Sequence, residues 1–519
     1  MPPNETPSLE LDSLDSLSDP DLDPDSPLAI RPKWMPPPPS PSGRRIFTRR
    51  RLITALASFI AFYLAVCLLR AVPPFAHPLP PYSGQYAVAS VDIEAPLPDA
   101  PRRVASVFDL ESVLFTLYYP SEAAPSARHR PWLDRPIGPT ARGYARLIGL
   151  DIFPIRWLFS SVLWVLAGPV RIPAAVDAPL VASDGDRLPV IVFSHGMASS
   201  RTDYTAYIGE LASRGFIVAA VEHRDGSCPG SVIAPDRPVL ALPSPAHLGS
   251  NLTRSAFKRA QMAVRTAEML DTIHVLRALD AGRGPDILAA NPRHEGLHLS
   301  SFRDRLALKD GLALAGHSMG ATAVLRAVHA LPAPVPVIAL DPGKESGPLS
   351  PDDAEDGLAG PLLVLHSAAW SRPSPGLFYG RPHFDAIRDF VAASLRRSSS
   401  AWFLTGLDTA HPSISDAPLL EPMLLRLATG FRLHDPLAST RRHANLSAEF
   451  LGLSTGHAKR STRLPPSGSL LAESVTHPSF DHWLSERRLS FPQDWASQWE
   501  IHVSPAAAHE PGNILSNQA

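Results

Sequence analysis

Cysteine is nearly absent. The 519 residues hold two, Cys67 in an apolar run and Cys228 in a loop after a strand. A disulfide between them is not expected, and so low a count says nothing of the redox compartment. Net charge is missing as well. Lys and Arg total 48 against 50 Asp and Glu, leaving −2, so no electrostatic footprint points to a nucleic-acid partner. No internal repeat is visible, which excludes solenoids and propellers. No cluster of His, Cys and Asp shows metal-ligand spacing along the chain, so neither a metal nor an organic cofactor is implied.

Proline, by contrast, is abundant and unevenly placed. Residues 1–43 carry twelve of the 57 prolines with eight acidic residues and almost no β-branched or aromatic ones. Such a segment buries too little apolar surface to offset its ordering entropy and reads as a disordered tail. A basic flank and an uncharged run follow in residues 44–72. Leu52 to Leu69 has no charge over 18 positions, about 27 Å as a helix, enough for a thin bilayer core. Arg44, Arg45, Arg49, Arg50 and Arg51 precede it and only Arg70 follows closely. This asymmetry predicts a single-pass signal anchor with a cytosolic N-terminus and a lumenal or extracellular bulk. A cleaved signal peptide is the rival reading, disfavoured by the long polar leader. The sequons at Asn251 and Asn445 fit a lumenal side and predict a glycoprotein. From about Gly456 the chain is poorly periodic, so 456–519 reads as a poorly ordered extension and 82–455 as one folded domain.

Within that domain short apolar runs alternate with helical periods. Strands are predicted at Leu114–Pro120, Leu188–Ser194, Gly215–Val221, Leu312–Ala315, Val335–Leu340, Leu362–His366 and Ala401–Leu404. Residues 203–214 and 255–281 have helical spacing. The class is α/β, a mostly parallel sheet covered by helices on both faces.

One pentapeptide carries chemistry. Gly316-His317-Ser318-Met319-Gly320 lies between an apolar strand and an Ala-rich helix. That is the context of a nucleophile elbow, in which a sharp turn exposes a serine at a helix N-terminus. Such a serine needs a base and an orienting acid, and in α/β-hydrolases these follow in the order acid, then His, after later strands. Asp341 stands directly after Val335–Leu340, and His411 lies in the loop after Ala401–Leu404. Asp408, Asp352 and Asp353 are rival acids, and His366 is a weaker base. Two backbone N–H donors are needed for the oxyanion. Met319 follows the nucleophile, and Met197 follows the His195-Gly196 turn; His195 itself is expected to pack beneath the site.

The stretches Leu117–Ser121, Val192–Met197, Gly215–Asp225, Gly316–Gly320 and Ala339–Asp341 together resemble the plasma-type and intracellular type II platelet-activating factor acetylhydrolases. The resemblance covers roughly 82–455. It implies the α/β-hydrolase fold and calcium-independent serine phospholipase activity on sn-2 acetyl or short, oxidised acyl esters. It places the triad on Ser318, Asp341 and His411 and the oxyanion donors on Met197 and Met319. The family's Phe-Gly-Gly after the serine is Met319-Gly320-Ala321 here, and its His-Gly-Leu-Gly is His195-Gly196-Met197-Ala198, which puts acyl preference in doubt. The resemblance also implies phospholipid and membrane-surface partners. The apolar segment Ile152–Leu166, with Trp157, Leu158 and Trp164, corresponds to a lipid-docking region; the competing reading is a buried lid or core helix. A broader carboxylesterase or lipase, and a non-catalytic anchored scaffold on the same fold, remain open.

Overall fold

This computed structural model describes residues 49–69, 75, 77–122, 128–182, 186–248, 252–344, 357–373, 381–423, 425, 435–455, 468–480 and 494–506. The chain divides into two compact units, Met1–Val72 and Pro73–Ala519.

In the first unit Arg49–Leu69 forms one helix, α1, of 21 residues. Its large apolar side chains, among them Ile53, Leu56, Phe59, Ile60, Phe62, Leu64 and Leu68, stand exposed around it. The expected span opens on Leu52, whose side chain lies outside the described residues. Over the described residues, no helix is long and apolar enough to cross a membrane. The acidic tail of residues 1–43 also lies outside the described residues.

The second unit is built on an 11-stranded sheet. In chain order its strands are β1 (Ala87–Pro96), β2 (Ser112–Ser121), β3 (His129–Pro131), β4 (Arg171–Val176), β5 (Leu188–Ser194), β6 (Ile217–Glu222), β7 (Leu306–His317), β8 (Val337–Leu340), β9 (Leu362–Ser367), β10 (Ala401–Gly406) and β11 (Trp499–Val503). Across the sheet they run β11-β10-β9-β8-β7-β5-β6-β2-β1-β4-β3. The six central strands, β6 through β10 with β5 between β6 and β7, are parallel. The pairs β2–β6, β1–β2, β3–β4 and β10–β11 are antiparallel. Helix-forming crossovers cover the parallel strands on both faces, which is why Val190-Ile191-Val192-Phe193 and Val337–Leu340 are apolar at every position rather than at alternate ones.

Helices α2 (Gly138–Leu147) and α3 (Phe153–Ala167) pack on each other. Then come α4 (Thr205–Ala212), α5 (Arg254–Asp280), α6 (Met319–Ala327), α7 (His383–Ser398) and α8 (Pro436–Thr455). One core layer joins Met269, Ile273 and Leu276 of α5, Val324 and Leu325 of α6 and Phe390 of α7 to the sheet. The other joins Tyr207 and Leu211 of α4 to Phe450 and Leu451 of α8. The Thr253 hydroxyl accepts the Ala256 N–H (3.2 Å) and so starts α5.

One expectation needs correction. The folded domain does not end at residue 455: Trp499–Val503 lies in the supposed extension and closes the sheet edge beside β10. Five residues with no local partner show no periodicity strong enough to read, because only a pairing almost a hundred residues distant makes them a strand. The Asn445 sequon lies on α8. Asn445 is exposed on α8, but Ser447 is buried and takes a hydrogen bond from the Tyr207 hydroxyl (2.8 Å). Asn251 lies outside the described residues.

Candidate active site

The parallel strands β7 to β10 deliver the chemical groups at their C-terminal ends, where open α/β sheets place such sites. Ser318 joins β7 to α6 at φ 56° and ψ −121°. A non-glycine residue is held there only when its surroundings over-determine the backbone. Those surroundings are visible. The Ser318 N–H donates to Leu340 O (2.9 Å), and its carbonyl accepts from Gly343 N–H (3.1 Å), tying the nucleophile turn to the loop after β8. A Cβ on Gly320 would lie 2.0 Å from Ser194 O, so the helix can approach β5 only with glycine at that position.

The structure brings Ser318, Asp341 and His411 together. The Ser318 hydroxyl lies 3.0 Å from His411 Nε2, and His411 Nδ1 lies 3.0 Å from Asp341 Oδ2. Asp341 also accepts from Ser367 N–H (2.6 Å) and Ser367 Oγ–H (2.7 Å) at the end of β9. The Ser367 N–H thus holds Oδ1, while the Ser367 hydroxyl shares Oδ2 with the imidazole and fixes that oxygen in place. The rivals are placed elsewhere. Asp408 is exposed, His366 is buried among the rings of His383, Phe384 and Phe403, and Asp352 and Asp353 lie outside the described residues.

His411 is held between two rings. Trp370 stacks on it at 3.8 Å between centroids and 11° between planes, and His317 lies at 4.5 Å. The Trp370 indole N–H donates to Pro342 O (2.8 Å). Burial, and after it the neighbouring His411, pushes His317 well below the usual imidazole range. It is thus neutral beside the base and adds no charge that would oppose protonation of His411. Ligand atoms of His317, Asp341 and His411 lie within 4.8 Å of one another, a cluster that spacing along the chain did not reveal. Both His411 ring nitrogens are engaged in the relay, so a metal bound there would have to displace one of those links.

The turn at His195-Gly196-Met197 abuts the serine. A Cβ on Gly196 would come within 3.0 Å of the Tyr204 hydroxyl and 3.2 Å of Ser318 Cβ. Gly196 N–H donates to Tyr204 Oη (3.1 Å), whose hydroxyl in turn reaches His317 Nδ1 (2.9 Å). With that N–H committed, the next one, on Met197, is the group left at the turn. Neither Met197 nor Met319 N–H finds an acceptor among the described residues, which is the state required of oxyanion donors.

Beneath the turn lies a charged network that explains the run Glu222-His223-Arg224-Asp225. Arg265 of α5, fully buried, donates to His195 O (2.6 Å), Asp225 Oδ2 (2.9 Å) and Ser227 Oγ (2.6 Å). His195 Nδ1–H donates to Gly196 O (2.8 Å), and its Nε2 accepts from His223 N–H (3.1 Å). Burial, helped by the Arg265 cation, pushes His195 down to about 4, so it is neutral and structural. His223 bridges Ser194 Oγ and Glu268 Oε2, each at 2.7 Å. This resembles a second triad, but all three groups are sealed from solvent. Burial, with the nearby Asp225, raises Glu268 well above the carboxylate range, and its proton satisfies the chain without a net charge.

Sequence reasoning missed Tyr204, Arg265, Glu268, Ser367 and Trp370. Only Ser367 carried a local signal, since it ends a strand next to the one that leads into Asp341. The segment with Trp157, Leu158 and Trp164 is α3, remote from the relay in sequence and exposed: Trp157 shows 65% and Trp164 62% of its surface. A buried lid or core helix is excluded by those values.

With this geometry in view, comparison with known proteins is direct. The family profile described as platelet-activating factor acetylhydrolase, isoform II, matches residues 76–451. The chain belongs to that family. Curated relatives are the platelet-activating factor acetylhydrolases of Bos taurus, 28% identical over 255 residues, and Cavia porcellus, 30% identical over 262. These matches cover 48% and 49% of this chain and 51% and 53% of theirs. A protein of Schizosaccharomyces pombe named putative phospholipase A2 is 26% identical over 268 residues, 47% of this chain and 57% of that one. The chain thus spans about half the length of the curated relatives it matches. Among solved structures, a ferulic acid esterase from Streptomyces cinnamoneus is similar at 19% identity and a TM-score of 0.49, covering 76% of this chain and 97% of that one.

Proposed function

We propose that this protein of the acetylhydrolase family is a serine hydrolase that cleaves the sn-2 ester of phospholipids, with acetyl or short, oxidised acyl chains preferred. The observation that carries this reading is the Asp341–His411–Ser318 relay, 3.0 Å at both links, on a strained elbow. Ser318 Oγ attacks the ester carbonyl as its proton passes to His411 Nε2. Asp341 holds the Nδ1–H and stabilises the imidazolium. The carbonyl oxygen becomes an oxyanion facing the Met197 and Met319 N–H groups. His411 returns the proton to the leaving alcohol, and the acyl-serine remains. Water, deprotonated by the same imidazole, then releases the acid and restores Ser318. Membership of the family, and relatives named for platelet-activating factor acetylhydrolase and phospholipase, favour a phospholipid ester over carboxylic esters at large.

The lipid surface is part of the same proposal. Phe153, Trp157, Leu158 and Trp164 are exposed on α3, and Ile148, Leu150 and Ile152 are exposed just before it. So large an apolar surface marks an interaction site, and tryptophans belong at the headgroup boundary. The expected result is a phosphatidylcholine series in which turnover falls as the sn-2 chain lengthens from acetyl to oleoyl. Trp157→Ser with Trp164→Ser should weaken vesicle binding at least about tenfold while a soluble acetyl ester is still cleaved. Equal rates along the series would point to a broad esterase or lipase, and vesicle binding unmoved by the double change would remove α3 from the interface.

We propose that the catalytic unit lies on the lumenal or extracellular side, with the uncharged sequence run Leu52–Leu69 as its anchor. The support is the arginine asymmetry before Leu52 and the large apolar side chains that α1 leaves exposed, such as Ile53, Leu56, Phe59 and Phe62. Protease added to sealed microsomes should leave the Ser318 unit intact. Its digestion from the cytosolic face would reverse the orientation.

A further inference from the structure

Lys344 lies three residues after Asp341. Its ammonium stands 4.7 Å from the centroid of the Trp370 ring. His411 occupies one face of that indole at 3.8 Å in near-parallel stacking, so the ammonium is on the other. The Trp370 N–H bond to Pro342 O pins the ring against the stretch between Asp341 and Lys344. Cation, indole and catalytic imidazole form one column beside the nucleophile.

Lys344 is half-buried, and among the described residues it makes no ion pair. Among the described residues, the carboxylate that favours its charge is Asp341. That carboxylate is already committed to His411 and to two donors from Ser367. The other titratable groups that sense Lys344 are His366 and His383, both buried and held below the usual imidazole range. Desolvation likewise lowers Lys344 from the ordinary lysine range. A partly desolvated cation with an aromatic platform and, among the described residues, no counter-ion can receive an anion.

We propose that Lys344, backed by Trp370, is an anion subsite that receives a phosphodiester carried on the alcohol side of the ester. The inference rests on the serine-esterase reading. Its direction follows from the mechanism: His411 Nε2 protonates the leaving alcohol, so the groups attached to that alcohol lie beside His411 and the column stacked on it. In a glycerophospholipid the phosphate is three bonds from the glycerol carbon that bears the leaving oxygen, which lets it extend past the indole toward the lysine on its far face. An anion on the acyl side would lie toward the oxyanion donors instead.

The test compares esters matched at the reacting bond. Wild type, Lys344→Met and Lys344→Arg are assayed in the same mixed micelles. The substrates are 1-alkyl-2-acetylglycerophosphocholine, 1-alkyl-2-acetylglycerol, which lacks the phosphate, and the paired esters p-nitrophenyl acetate and p-nitrophenyl hemiglutarate, whose acyl group ends in a carboxylate. The kcat/KM ratio of phosphate-bearing to phosphate-free acetyl ester should fall on the order of 10–100-fold in Lys344→Met, and Lys344→Arg should restore most of it. The hemiglutarate-to-acetate ratio should not follow. A fall in that second ratio instead would move the anion to the acyl side and overturn the assignment. Equal losses on all four esters would reduce Lys344 to a field acting on His411 and also overturn it. A wild type inert on all four would sink the esterase reading itself, a result distinct from either of these.

Discussion

Ser318→Ala is expected to abolish labelling by a fluorophosphonate probe and to lower kcat by about 10⁴-fold or more, as loss of a triad nucleophile does elsewhere. The size follows from what the hydroxyl does. In the proposed mechanism its oxygen forms the acyl-enzyme, and without it the oxyanion donors and the bound ester remain but no covalent path exists. The fold should survive. The φ of 56° at Ser318 strains alanine as much as serine, and the hydroxyl makes one hydrogen bond, to His411 Nε2, so thermal stability should change by less than about 1 kcal/mol. Labelling that persists in the variant would place the nucleophile elsewhere; an inactive variant that has also lost its thermal transition would call for Ser318→Cys in its place.

The elbow was legible because its signal is local. Two glycines, a serine and their apolar flanks lie within a dozen residues, and no distant contact is needed to interpret them. Asp341 and His411 could be located because parallel strands deliver their functional groups at one edge of the sheet, so each was sought just after an apolar run. The layers on both faces followed from the same continuous apolar runs. Other features depended on tertiary structure. Arg265 and Glu268 lie in a long helix whose period reads as amphipathic, and charged residues there are normally assigned to solvent. Their burial against His195 and His223 is set by which elements the fold brings beneath β5. Trp499–Val503 gained its role only by pairing with β10. Trp370, in a single turn after β9, gave no sign that its ring would lie flat on the catalytic imidazole.

The run Phe216–Asp225 shows the opposite case. Nothing in ester chemistry demands Glu222-His223-Arg224-Asp225, yet it ends one of the stretches that carry the family resemblance. The structure gives the reason. Glu222 accepts from the Arg201 N–H (3.0 Å), Asp225 from Arg265 (2.9 Å), and the His223 N–H is spent on His195. Each of these bonds holds some part of residues 195–201, the turn that carries Met197. Glu222, His223 and Asp225 thus support the turn of the proposed oxyanion donor, while Arg224 pairs with Glu94 of β1.

Asp341→Asn should retain the fold and lower kcat by up to about 10⁴-fold. Asp341 accepts three hydrogen bonds, from Ser367 N–H, Ser367 Oγ–H and His411 Nδ1–H. An asparagine has one carbonyl oxygen for them. The Ser367 N–H is the shortest of the three at 2.6 Å and comes from a fixed backbone, so it keeps that oxygen. The new amide NH₂ then faces the hydroxyl of Ser367, which can rotate to accept, and Nδ1 of His411, which can accept only by giving up its proton. The imidazole is left with hydrogen on Nε2, pointing at Ser318, and cannot take the serine proton. Geometry survives while the tautomer is wrong, so the loss should appear in kcat with little change in KM or in the thermal midpoint. Combining Asp341→Asn with Ser318→Ala should cost no more than Ser318→Ala alone, because groups that act as one unit are not additive. The exposed Asp408 supplies the control. Should Asp408→Asn prove the damaging change while Asp341→Asn leaves kcat intact, the acid of the relay would have to be reassigned.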